Sequence, residues 1–318
     1  MGSSAMPDPT DDSSGRPHCP ATDAEIDRHA PEAERVIELL SARRSTGQTD
    51  LEQRVAASGT LARLAQVDPA TVEEFLSVLV EELRRETDSG GSDEARDSRE
   101  KLQTVRANLI ETVSHLLINT SETTVGQEGF TAFLGAVSTT LDDGTLRVAT
   151  HALFASADER ARELATVADL LDELLTYPDV VVQTWIAGTV GRVAAAYPDA
   201  VAATAVNLRR LLTHEHSTVQ HNAVEALATM VGSRPDVVVP AADTLRGLLN
   251  HEEVALQHNA AELLYVLVEH QPEAVTPAVE ELQNLRTHDD DAVRRIATAT
   301  LARLADERLD ATTDSKSK

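Results

Sequence analysis

The sequence predicts an all-α fold and, within that class, an α-solenoid of about seven helix pairs. Two observations predict it. Apolar residues recur at the helical spacings i, i+3 and i+4, whereas the strict alternation of a half-buried strand is nowhere sustained. Similar segments also recur at a fixed interval, since "TVQHNAVEAL" from Thr218 returns 37 residues later as "ALQHNAAELL" from Ala255. Such self-similarity is typical of stacked repeats.

The same interval of 37 residues separates other positions of the C-terminal half. It relates three histidines, three prolines and four apolar residues: His214, His251 and His288; Pro198, Pro235 and Pro272; Val182, Val219, Leu256 and Val293. Each repeat therefore has the pattern of one helix pair. The proline starts or bends the first helix, where a missing N–H costs little.

An apolar triplet marks the first helix of each pair and extends the repeat toward the N-terminus. The triplets are Val36/Leu39/Leu40, Leu76/Leu79/Val80, Val137/Thr140/Leu141, Leu171/Leu174/Leu175, Leu208/Leu211/Leu212, Leu245/Leu248/Leu249 and, ending in a charge, Leu282/Leu285/Arg286. The second helix follows a short polar turn, as in "VQHNAVEALATMV" from Val219. These triplets predict seven units.

The composition of the chain ends predicts the domain boundaries. We expect the solenoid to span residues 22–307, with disordered tails at 1–21 and 308–318. The second and third units are stretched by two insertions, near 87–98 and 119–129. Both insertions are charged and rich in Gly, Ser and Thr, so they should be exposed loops.

The chain is strongly acidic, with 53 acidic and 28 basic residues, a formal charge of −25 and three lysines. The excess is spread along the whole chain, which resembles the proteins of salt-accumulating archaea. Self-repulsion at this charge is tolerable only where salt screens it, so the fold should need molar salt. An acidic surface built to meet a basic partner is the alternative. Either way, the charge argues against nucleic acid as a partner.

Cysteine usage and hydropathy narrow the class of protein. Cys19 is the one cysteine, which excludes a disulfide framework and Cys2His2-type zinc sites. We expect no signal peptide, and the most apolar stretch of the sequence, 180–196, is short and interrupted by Gln183 and Arg192. We expect a cytoplasmic protein without membrane insertion, without a cofactor and monomeric by itself.

The last unit, "DDDAVRRIATATLARL" from Asp289, resembles the HEAT-repeat consensus of the phycobilin-lyase-like type. It has an Asp-bearing turn, then Val-Arg, an Ala four residues after the Val, and Leu further along. The resemblance is strongest over 160–306. Gln183, Gln220 and Gln257 stand where the consensus prefers Arg, so neutral hydrogen bonds should largely replace the Asp–Arg ladder. The resemblance implies that the second helices line a concave surface.

Helical geometry divides the second helices into a buried stripe and an opposite face. In the helix from Val219 the stripe is Val219, Ala223, Ala226, Leu227 and Met230, and His221 lies opposite it with Asn222 flanking. Together with the resemblance, this predicts a partner-binding ladder along the concave surface. Its members are Thr184, Trp185, Arg192, His221, Asn222, Glu225, His258, Asn259, Glu262, Tyr265 and Arg295. Aromatic and Arg residues of this kind anchor interfaces.

The resemblance implies a non-enzymatic scaffold or adaptor that binds a partner protein, and signalling to the motility apparatus is one process that such proteins serve. The alternative is a metal-dependent enzyme similar to deoxyhypusine hydroxylase, which holds iron with His-Glu pairs. His221 and His258 match its ligand histidines, but Asn222 and Asn259 replace the glutamates that a hard iron centre needs. We therefore predict no catalytic residue and no metal site, with His221 and His258 as the candidate ligands of the alternative.

Overall fold

The computed structural model describes residues 33–38, 40, 48–88, 96–120, 125–140 and 142–314. These residues form helices joined by short turns, without a strand among them, so the all-α prediction is confirmed. The chain divides into two compact units, residues 1–152 and 153–318. The predicted tail at 1–21, including Cys19, lies outside the described residues.

The first unit is built from helices of different lengths. The helices are α1 (Gln48–Val67), α2 (Pro69–Glu73), α3 (Leu76–Asp88), α4 (Arg96–Asn119), α5 (Gln127–Val137) and α6 (Asp143–Ala155), which runs across the division between the units. Helix α1 packs along α4, and α3 packs against both α4 and α5. A further helical run covers residues 33–38, where Val36 and Ile37 are buried.

Two of the predicted apolar triplets in this unit have the wrong register. In α3 the buried positions at i, i+3 and i+4 are Leu79, Glu82 and Leu83, three residues later than predicted. In α5 they are Phe130, Phe133 and Leu134, seven residues before the predicted Val137/Thr140/Leu141 triplet.

A buried ion pair explains why the pattern of α3 was hidden. Glu82 occupies the central core position, and its Oε2 lies 3.3 Å from Arg54 Nη2 of α1, with both residues at most 3% exposed. A carboxylate at a core position breaks the apolar periodicity on which sequence analysis depends. Removing either partner would break this buried pair, which typically costs about 3–5 kcal/mol.

The two predicted insertions lie partly outside the described residues. Helix α3 continues to Asp88 and α4 already begins at Arg96, so residues 89–95 separate them, outside the described part of the chain. At the second insertion, Val125 is buried and α5 begins at Gln127. Residues 126–128 are exposed, as predicted for the insertion, whereas Val125 and Gly129 are buried.

The second unit repeats one arrangement four times. Its first helices are α8 (Ala168–Leu175), α10 (Ala205–Leu211), α13 (Ala242–Leu248) and α16 (Val279–Leu285), and its second helices are α9 (Val180–Ala196), α11 (Ser217–Val231), α14 (Val254–His270) and α17 (Asp291–Asp314). Each first helix packs on the second helix that follows it, and the second helices contact one another in chain order. Helix α17 continues past residue 308, where the C-terminal tail was predicted to begin.

Short helices precede three of the four first helices. They are α7 (Ala161–Ala165), α12 (Pro235–Val238) and α15 (Pro272–Val275). Two of them begin at the repeated proline, as predicted, whereas Pro198 starts no helix and only a 3-10 turn precedes α10. Pro235 and Pro272 stand at the first positions of α12 and α15, where no intrahelical N–H bond is lost. Single 3-10 turns then lead into α13 and α16.

The predicted core of the second unit is confirmed. The buried triplet leucines are Leu171, Leu174, Leu175, Leu208, Leu211, Leu212, Leu245, Leu248, Leu249, Leu282 and Leu285. Arg286, which ends the last triplet, is exposed. The predicted stripe of α11, from Val219 to Met230, is likewise buried at all five positions.

Three histidines occupy equivalent turns, as the 37-residue spacing predicted. The backbone N–H of His214, His251 and His288 donates to the carbonyl three residues earlier, at 3.1 Å in each case. Each ring Nδ1 in turn accepts the backbone N–H two residues later, at 3.0 Å. The rings therefore hold the start of the next helix.

The predicted neutral hydrogen bonds occur within repeats. Gln183 Nε2 donates to the carbonyl of Leu175 at 3.3 Å, and Gln220 Nε2 donates to that of Leu212 at 3.1 Å. At the equivalent position of the last repeat, Arg294 donates to the carbonyls of His288 and Asp289. The two glutamines tie α9 and α11 to the ends of their first helices, and Arg294 ties α17 to the turn before it. Gln257 Oε1, at the equivalent position of α14, is buried without a hydrogen-bond partner among the described residues. None of the helices in the described residues has both the length and the apolar composition of a membrane span.

Candidate interaction face

The second helices of the second unit bring equivalent residues into columns. Because α9, α11, α14 and α17 contact one another in chain order, residues 37 apart in sequence occupy matching positions on neighbouring helices. We call the accessible part of these columns the interaction face. It consists of His221, Glu225, His258, Asn259, Glu262, Tyr265 and Arg295, all half-buried or exposed.

Three predicted members of the ladder are not accessible. Thr184, Trp185 and Asn222 are 4%, 6% and 2% exposed, so the expectation that they lie open to a partner is wrong. The reason lies in the packing. Asn222 of α11 faces Thr184 of the neighbouring α9, and Trp185 packs against the ring of Phe154.

Asn222 links two neighbouring second helices. Its Nδ2 donates to the main-chain carbonyl of Thr184 in α9 at 2.8 Å, while its buried Oδ1 has no hydrogen-bond partner among the described residues. Thr229 and Thr300 make similar bonds, through Oγ1, to the carbonyls of Gly191 at 3.2 Å and Ala261 at 3.5 Å. Sequence analysis missed this internal ladder, whose one signal is an acceptor 38 or 39 residues before each donor.

Trp185 and Arg192 belong to a local aromatic cluster that sequence analysis also missed. The ring of Phe154 lies 5.0 Å from that of Trp185, and the Arg192 guanidinium stacks 3.8 Å above the Phe154 centroid. Arg192 Nη1 also donates to the Phe154 carbonyl at 3.2 Å and to Asp158 Oδ2 at 3.1 Å. Gly188 permits this packing, since a Cβ there would lie 2.7 Å from Phe154 Cε2. Arg192 is therefore half-buried and bound within this cluster, and its role in partner binding stays a prediction.

Five side chains of the interaction face form a continuous polar chain across α11 and α14. Glu225 Oε1 lies 3.0 Å from His221 Nε2, and His221 Nδ1 lies 3.1 Å from Asn259 Nδ2. Asn259 Oδ1 lies 3.4 Å from His258 Nδ1, which is 3.9 Å from Glu262 Oε2. We call these five residues the His–Asn chain.

The first pair of the His–Asn chain is electrostatically coupled. The hydrogen bond that His221 Nε2–H donates to Glu225 raises the pKa of His221 above its ordinary value, against the lowering effect of partial burial. The charge of Glu253 acts in the same direction as that of Glu225. The same hydrogen bond lowers the pKa of Glu225. Both effects favour a charged pair at mildly acidic pH.

The C-terminal part of the face carries an aromatic ring and a free cation. Arg303 of α17 stacks over the Tyr265 ring at 4.8 Å and pairs with Glu269 at 2.7 Å. Arg295, one repeat after His258, is exposed and makes no ion pair or hydrogen bond within the described part of the chain. Tyr265 and Arg295 thus remain accessible, as predicted.

The candidate ligands of the metal-site alternative are engaged with each other through Asn259. Both ring nitrogens of His221 have side-chain neighbours within 3.1 Å. Within the described ranges, no group of three or more His, Cys, Asp or Glu residues is arranged so that it could hold a metal ion.

In the first unit, Asp142, Thr145 and Glu111 form a polar cluster that holds helices together. Asp142 accepts the N–H of Thr145 at 2.7 Å and so caps α6, and this bond lowers the pKa of Asp142. Thr145 Oγ1 donates to Glu111 of α4 at 3.3 Å, and burial raises the pKa of Glu111 despite that bond. The group joins α4 to α6.

Comparison with known proteins adds little to this geometry. No family model matches the chain, and no curated protein matches it. The chain is similar to a solved structure, the crystal structure of an engineered protein that was a target of the Northeast Structural Genomics Consortium. The two are 21% identical, the match covers 86% of this chain and 97% of that one, and the TM-score is 0.44. Similarity at this level identifies neither the fold family nor the function of the chain.

Proposed function

We propose that the chain is a non-enzymatic scaffold or adaptor and that a partner protein binds on the interaction face. The observation that carries the proposal is the repeated column of accessible polar side chains on α11 and α14, flanked by Tyr265 and Arg295. A repeat array contacts only its neighbours, which leaves such a surface free for a partner. Tyr and Arg are the residue types that dominate interface energies.

The accessible residues define how a partner would be recognised. Glu225 and Glu262 are exposed while each lies beside a histidine on its own helix, so each carboxylate can still accept hydrogen bonds from a partner. Arg295 has no internal ion pair among the described residues and offers its full set of donors. The proposed contact is thus polar and charged, with Tyr265 as its aromatic anchor.

The proposal includes a saline working environment. A chain with −25 formal charge repels itself unless counterions screen it. The proposed source is therefore a salt-accumulating archaeon and the proposed location its cytoplasm. Loss of helical circular dichroism on dialysis from molar to low salt would support this, whereas full helicity in dilute buffer would contradict it.

Charge reversal on the face provides the test. The tagged chain is used in molar salt to capture partners from a lysate of the organism that encodes it, and binding of the captured protein is then measured directly. We expect Glu262→Lys combined with Arg295→Glu to weaken binding by more than about 1 kcal/mol, or about fivefold in Kd. Glu280→Lys in α16 is the matched control, because Glu280 is exposed but lies outside the face.

Two results would contradict the proposal. Unchanged binding of the face variant, with intact helicity, would place the partner elsewhere. Stoichiometric iron in the purified protein would instead favour the enzyme similar to deoxyhypusine hydroxylase.

A further inference from the structure

The His–Asn chain has two possible hydrogen-bond directions, and the side-chain amide of Asn259 selects between them. An amide presents a donor at one end and an acceptor at the other. In the structure its Nδ2 points to His221 Nδ1 and its Oδ1 to His258 Nδ1. This orientation requires an unprotonated Nδ1 on His221, because Nδ2 is a donor. It also requires a proton on Nδ1 of His258, because Oδ1 is an acceptor.

Protonation of His221 is incompatible with that orientation. The imidazolium carries a proton on each ring nitrogen, so Nδ1–H would then face the Nδ2 donor of Asn259. A half-turn of the amide resolves the conflict, since it presents Oδ1 to His221 and Nδ2 to His258. His258 must then accept at Nδ1 and carry its proton on Nε2.

We propose that Asn259 couples the two histidines, so that gain of a proton by His221 turns the amide over and switches His258 to its other ring tautomer. The coupling passes from α11 to α14, that is, from one repeat to the next. It goes beyond the proposed partner binding and operates in the chain alone. The interaction face then presents different donors and acceptors above and below the titration of His221.

The charged groups around the two histidines favour the protonated form of His221. Glu225 on the same helix and Glu253 at the start of α14 raise the pKa of His221, while its equivalent position on α9 is the uncharged Thr184. His258 faces Glu262 on its own helix and interacts with Asp290 in the turn before α17. A raised pKa means that His221 holds its proton at a pH where an ordinary histidine, near 6.5, has lost it.

Nuclear magnetic resonance of the full chain, labelled with ¹⁵N and ¹³C and kept in high salt, tests the coupling. Three signals are followed from about pH 5 to 9: the His221 ring, the Asn259 side-chain amide and the ring nitrogens of His258. We expect one shared midpoint. The Asn259 amide shifts as His221 gains its proton, and His258 changes from the Nδ1–H to the Nε2–H tautomer.

Two variants separate coupling from coincidence. Glu225→Gln removes the charge that raises the pKa of His221 without touching Asn259, so all three signals should move to lower pH together. Asn259→Ala should leave a titrating His221 but abolish the tautomer change of His258. The inference is overturned if the Asn259 amide or the His258 tautomer does not follow His221 in the unmodified chain, or if either keeps its original midpoint in Glu225→Gln.

Discussion

The N-cap positions of the second helices differ in a way that stability measurements can detect. These positions are Asp179, His216, Glu253 and Asp290, each one repeat after the last. Asp179 Oδ1 accepts the N–H groups of the second and third helical residues at 3.0 Å each, and Asp290 Oδ1 does the same at 2.8 and 3.0 Å. His216 and Glu253 make no side-chain cap bond. Two of the four second helices therefore begin with uncapped N–H groups.

Replacing Glu253 by Asp should supply the missing cap without changing the charge. The backbone already has the required extended conformation, with φ −87° and ψ 118° at Glu253 against φ −135° and ψ 123° at Asp179. Asp290 shows that a capping Asp is compatible with a turn histidine bonded to its own N–H. An N-cap of this kind is worth about 0.5–2 kcal/mol. We expect a gain of about 1 kcal/mol from Glu253→Asp, and about the same from His216→Asp.

Urea unfolding at constant high salt, followed by circular dichroism, measures the gain. The midpoint should rise while the dependence on urea stays unchanged, since neither variant alters the surface exposed on unfolding. The two sites share no partners, so the double variant should gain about 2 kcal/mol. Glu253→Ala is the control without a cap, and Asp179→Ala should lose about 1 kcal/mol. If Glu253→Asp were no more stable than Glu253→Ala while Asp179→Ala was destabilised, the proposed equivalence of the four positions would be refuted.

Three further variants test the packing and the electrostatics of the second unit. Glu225→Gln should destabilise the protein by about 0.5 kcal/mol near pH 5.5 and by less near pH 8.5. The reason is that the raised pKa of His221 gives stability that is lost as pH rises through that pKa. An equal loss at both pH values, measured by urea unfolding, would argue against a charged pair. Gly188→Ala should destabilise by about 1 kcal/mol through its contact with Phe154, whereas the control Gly247→Ala meets no atom within 4 Å and should stabilise. Asn222→Ala should lower the melting temperature in high salt, since it removes a buried hydrogen bond between α11 and α9. An unchanged melting temperature would argue against this internal role and for the predicted partner-binding role of Asn222.

The sequence was sufficient to predict the helices and the buried core of the second unit, because one apolar pattern repeats there at a constant interval. Three of the four first helices place leucines at the same three positions, the last one replaces the third leucine by Arg286, and the turn histidines keep a constant spacing. In the first unit, Glu82 takes a core position and pairs with Arg54 across 28 residues. Apolar periodicity cannot detect a charge that is buried because a distant partner neutralises it. The register of α3 was therefore unpredictable from the local pattern.

The site was predicted less well, for a different reason. Helical periodicity separated the buried stripe of α11 from its opposite face correctly, which placed His221 and Glu225 on the accessible side. It could not decide the flanking position of Asn222, because burial there depends on the neighbouring second helix and not on α11 itself. Phe154 was missed for the same reason, since it lies on α6 and its contacts with Trp185 and Arg192 are made to a different helix, α9.

The residue types at the equivalent positions of α9 and α17 explain why the His–Asn chain stops after two repeats. The position of His221 and His258 is occupied by Thr184 in α9 and by Arg295 in α17. Thr184 is buried and uses its hydroxyl within α9, donating to the Val180 carbonyl at 2.7 Å, and an Arg side chain cannot accept a hydrogen bond. A relay of alternating donors and acceptors can therefore form only between α11 and α14. These are also the two second helices of the unit that pack against a second helix on each side. The His–Asn chain therefore lies on the two helices of the face that are held from both sides.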